Sequence, residues 1–93
     1  MRNFNIKKIR KKLDKLDDKL LLIVKKRMLL VNQVIKTKTL KKQIIDKKRI
    51  NVILKRIKNK SLKMGVDKEI SRKIWKSMIR AFIDYEFKNF KKK

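Results

Sequence analysis

Apolar residues recur at steps of three and four along the first part of the chain, at Ile6, Ile9, Leu13, Leu16, Leu20 and Val24, and the series resumes at Val31 and Val34. That period places them on one face of an α-helix. Arg27 and Lys38 stand in the same series, so two cations interrupt an otherwise apolar seam. A core-facing stripe holds a cation where something anionic meets it. Long Lys and Arg stems also lie along the edge of an apolar stripe with the charge in water. The pattern therefore has two readings, a site for a small anionic ligand or the frayed border of a stripe.

The chain holds no proline and one glycine, with no low-complexity linker or internal repeat. Such sparse punctuation predicts an all-α fold of long helices with short connections, because a β fold needs many Gly, Asn and Pro turns. Three helices are expected within one domain over residues 1–93: about 6–38, about 46–63 and about 68–90. Thr37, Thr39 and the polar stretch Lys41-Lys42-Gln43 mark the first break. Asp46 is placed to cap the second helix, its carboxylate accepting from exposed backbone N–H groups. Gly65 suits the left-handed position after a helix end, and Asp67 can cap the third helix.

A first helix of about 33 residues extends about 50 Å. A compact globule of this chain length is only about 30 Å across. The helix should overhang its own subunit, and its seam continues over the whole length. An intertwined antiparallel helical homodimer is expected to cover it. The alternative is a monomeric three-helix hairpin with a frayed N-terminus.

With 32 basic and 8 acidic residues the formal charge is +24. Such a field draws nucleic acid, anionic membranes and small dianions alike. The lysines form no single patch, recurring in pairs such as Lys7-Lys8, Lys25-Lys26 and Lys47-Lys48. Charge alone thus argues for no more than non-specific nucleic-acid binding, and neither a stacking aromatic motif nor a helix-turn-helix spacing supports a specific reader. Lys, Ile and Asn are also the residues of A/T-rich codons. The longest apolar run, Leu20 to Val24, is too short to span a membrane or serve as a secretory signal. Cysteine and histidine are absent, which removes thiolate chemistry and the commonest metal ligand. A cytoplasmic protein without metal or cofactor is the expectation.

Arg10 precedes Arg27 by 17 residues, about 25 Å of helix, so the two cannot grip one small molecule from the same chain. In an antiparallel dimer, Arg10 of one subunit can approach the site built by Arg27 and Lys38 of the other. Arg27 and Lys38 are close to three turns apart and face the same way, about 16 Å from each other. Asp46 and Arg49 lie one turn apart beside Ile50 and Ile53. Trp75, Met78, Phe82 and Glu86 share a stripe on the third helix, which sets one carboxyl group among bulky apolar residues.

The segment from Ile9-Arg10-Lys11-Lys12-Leu13 to Asp17-Asp18-Lys19-Leu20-Leu21 resembles the opening of the all-helical, AroQ-type chorismate mutases. Arg27, Lys38, the pair Asp46-x-x-Arg49 and the turn Gly65-Val66-Asp67 follow at the spacings of that family, so the resemblance covers about residues 6–88. It implies a three-helix subunit in an intertwined dimer and the cofactor-free rearrangement of chorismate to prephenate in phenylalanine and tyrosine biosynthesis. By the same resemblance, Arg27 and Arg10 of the partner subunit hold the two carboxylates, and Lys38 reaches the ether oxygen and a carboxylate. Glu86 stands opposite that oxygen and must be protonated to donate. Asp46 contacts the ring-hydroxyl side and Arg49 supports the carboxylate end. Two positions depart from the pattern: Ile50 replaces a Glu that binds the ring hydroxyl, and Phe82 replaces a small polar residue. Both changes resemble the isochorismate pyruvate lyases, which make salicylate and pyruvate.

Overall fold

The computed structural model describes residues 5–91 and is all-helical there, with no strand among the described residues. Helix α1 spans Ile6–Thr37, a short 3-10 turn spans Lys41–Gln43, α2 spans Lys47–Met64 and α3 spans Lys68–Asn89. Asn5 opens α1, its Oδ1 accepting from the backbone N–H of Lys7 at 3.0 Å. Lys38 and Phe90, each expected as the last residue of its helix, fall just beyond the observed ends, Lys38 after Thr37 and Phe90 as the C-cap of α3.

The break after α1 is built by Gln43, whose side-chain oxygen accepts from the backbone N–H groups of Thr39 at 2.8 Å and Leu40 at 2.9 Å. Asp46 caps α2 by accepting from the Arg49 N–H at 3.0 Å, and Asp67 caps α3 by accepting from Glu69 and Ile70 at 2.7 and 3.3 Å. Between them Gly65 takes the left-handed conformation, φ 73°, that any side chain would strain. These devices close the backbone groups that helix ends leave open.

The chain divides into two units, residues 1–30 and 31–93, with the boundary inside α1. The first unit consists of helix alone in its described part. Its apolar seam is exposed: Leu13, Leu16 and Leu20 each show more than half of their surface to solvent, at 53%, 58% and 57%.

The second unit contains the last turns of α1, the 3-10 turn, α2 and α3. A three-residue connection folds α3 back against α2, and Leu54, Ile57, Trp75, Met78 and Phe82 are half-buried along the pair. Ile35 and Ile44 are buried, as are Ser61, Ser71 and Glu86. The Ser61 hydroxyl donates to Ser71 Oγ at 2.7 Å, joining the end of α2 to the start of α3.

Candidate active site

Thr37 ends α1 by turning its hydroxyl onto the Val34 carbonyl at 2.6 Å, so Lys38 leaves the helix. Its ammonium group donates to Glu86 Oε1 on α3 at 2.8 Å and meets the Ile44 carbonyl at 3.5 Å. The two side chains of this ion pair keep only 17% and 10% of their surface. Their attraction is therefore less screened than in the surface pair Arg72–Glu69, whose side chains are about half exposed. Breaking such a buried pair strands a charge, whereas an exposed pair contributes little. Lys38 has three N–H donors, of which these two partners occupy two.

One residue before Glu86, the Tyr85 hydroxyl donates to Asn32 Oδ1 on α1 at 2.6 Å. This bond ties α3 to the last turns of α1 within the second unit. Asp46 shares a recess of about 610 Å³ with Lys38, bordered also by Thr37, Gln43 and Ile45. The recess is wide open to solvent, and Glu86 does not line it. Asp46 and Arg49 meet through a backbone N–H, because the Asp46 carboxylate is engaged as the helix cap. Ile50 and Phe82, the two departures from the family pattern, are half-buried.

Among the expected site residues, Lys38, Asp46, Arg49 and Glu86 belong to the second unit, where Lys38 contacts Glu86 and borders a recess with Asp46. Arg10 and Arg27 belong to the first unit. There Arg10 is exposed, while Arg27 is half-buried on a helix whose other side chains are nearly all exposed. The sequence singled out neither the Asn32–Tyr85 bond nor the carbonyl contact of Lys38. The first pairs residues 53 positions apart, and no local pattern announces such a partner. Among the described residues no group of three or more His, Cys, Asp or Glu could hold a metal ion. No described helix is long and apolar enough to cross a membrane.

The chain is all-helical among its described residues and sets Lys38 against Glu86, a geometry that by itself names no reaction. The sequence matches the family chorismate mutase type II over residues 9–87, and the chain belongs to that family. Its activity is that of the family, the rearrangement of chorismate to prephenate. No curated protein and no solved structure matches the chain significantly.

Proposed function

We propose that the reaction runs at Lys38 and Glu86 in a cytoplasmic homodimer, with Arg27 and Arg10 of the partner subunit holding the two substrate carboxylates. The single observation that carries the reading is the 2.8 Å contact between Lys38 Nζ and Glu86 Oε1, which joins a cation and a carboxyl group from distant parts of the sequence in a partly dry setting. In the rearrangement the ether C–O bond breaks as a C–C bond forms, with no proton or electron exchanged with the protein. Negative charge gathers on the ether oxygen at the transition state. A donor already fixed in place stabilises that charge without reorganising. Lys38 supplies one such donor from the N–H that Glu86 and the Ile44 carbonyl leave over, and Glu86 supplies a second only if a proton on its carboxyl group turns the ion pair with Lys38 into a hydrogen bond. Arg27 and Arg10 of the partner subunit fold the substrate into the reactive conformation by gripping its ends, and Asp46 and Arg49 complete the binding surface. The dimer reading is supported by the exposed seam of α1.

Ile50 and Phe82 favour a second reading, lysis of isochorismate to salicylate and pyruvate, because both place apolar surface where the family pattern has polar groups. Purified protein incubated separately with chorismate and isochorismate decides between them. Prephenate from chorismate is the expected product. Salicylate with pyruvate from isochorismate, and no prephenate from chorismate, would establish the lyase instead.

A further inference from the structure

A second cleft lies between α2 and α3, about 420 Å³ in volume, floored by Leu54 and Ile57. It is remote from the Lys38–Glu86 pair, since its last α3 residue, Lys76, precedes Glu86 by ten positions, about 15 Å of helix. Five cations rim it, Lys55 and Lys58 from α2 and Lys68, Arg72 and Lys76 from α3, against one carboxylate, Glu69. That carboxylate is already committed. Arg72 donates to it at 2.8 Å, and this hydrogen bond together with the guanidinium charge holds its pKa below the usual glutamate value. Among the described residues the other four rim cations enter no ion pair.

Such a cleft combines an apolar floor with uncompensated positive charge around its edge. Like charges held around one opening repel, and an anion entering between them relieves that repulsion. A flat apolar body fills the floor and presents its face to the ammonium and guanidinium groups above it, which favours a ring over an alkyl chain. The volume accommodates one or two fused rings and falls within the range of small-molecule pockets. We propose that the α2–α3 cleft is a binding site for an aromatic carboxylate, separate from the site of the rearrangement and independent of it.

The probe is 2-naphthoate, titrated into uniformly 15N-labelled protein near physiological salt. Saturable shifts are expected at backbone signals of residues 54–58 and 68–76, and the neutral 2-naphthamide should bind about tenfold more weakly. Two charge-matched variants separate a site from the general field of a polycation. Lys58→Gln/Lys76→Gln should weaken naphthoate binding about tenfold, whereas Lys60→Gln/Lys63→Gln, equal in charge but outside the cleft, should change it less than about twofold. Equal weakening in the two variants overturns the proposal in favour of diffuse charge. Shifts centred on the α1 seam or on Lys38 and Glu86 overturn it as well, by placing the ligand elsewhere.

Discussion

The two units of this chain share the same period of apolar residues but bury them differently. In residues 31–93 the pattern is answered in part within the chain: Ile35 and Ile44 are buried and Leu54, Ile57, Trp75, Met78 and Phe82 half-buried, while Leu62, Met64 and Ile70 stay exposed. In residues 1–30 the seam is equally regular, yet Ile6, Leu13, Leu16 and Leu20 all remain more than half exposed. Hydrophobic period specifies which face of a helix is to be covered and says nothing about which molecule covers it. A seam left open this regularly is the surface that a second copy would cover in the proposed dimer.

The largest expected effect comes from attacking that difference directly. Leu16→Asp combined with Leu20→Asp sets two carboxylates into the seam, and burying either unpaired is costly. Sedimentation should show monomer where the unaltered protein is dimeric, and prephenate formation should fall below detection because Arg10 of the partner subunit is lost. A monomeric unaltered protein, or a fully active variant, would remove the proposed dimer.

A smaller but still large loss is expected at the site itself. Lys38→Ala and Arg27→Ala should each lower kcat/KM by about a hundredfold to a thousandfold, while sedimentation and helical circular dichroism stay unchanged. Near-normal turnover in both would take the proposed site away. Glu86→Gln is milder, since an amide donates without needing a proton. At one fixed pH its kcat/KM should stay within about tenfold of the unaltered enzyme, whereas Glu86→Ala, which removes the polar group, should lose about a hundredfold. Equal losses in Glu86→Gln and Glu86→Ala would show that Glu86 is not a donor in the transition state.

Much of the second unit was legible in the sequence because its determinants are local. Asp46, Gly65 and Asp67 act within four residues of themselves, and each takes the capping role its type and position suggest. Lys38 and Glu86 were each marked by a clash of character, a charged residue in an apolar series, and the fold joins them across 48 positions. Their partnership was not readable from spacing, since it depends on how the last turns of α1 meet α3. The same holds for Asn32 with Tyr85. No local pattern pairs Ser61 with Ser71, which stand on different helices, and the structure gives them each other.

The smallest expected effect tests whether that serine bond belongs to the second unit alone. Ser61 donates to Ser71, and the Ser71 hydroxyl has a further acceptor in the Asp67 carbonyl at 3.4 Å. Removing the donor in Ser61→Ala leaves Ser71 that carbonyl, so the cost should be about 1 kcal/mol. Removing the acceptor in Ser71→Ala strands the Ser61 hydroxyl in a buried position, and the cost should be larger, up to about 3 kcal/mol. Urea denaturation at fixed protein concentration measures both. The dissociation constant of the proposed dimer should change by less than about twofold in either variant, because the bond lies outside the exposed seam. If the two serine variants cost the same, the buried bond is not directional as the geometry has it. If they loosen the dimer as much as they lower the denaturation midpoint, the stability of the α2–α3 pair is not separable from the covering of α1.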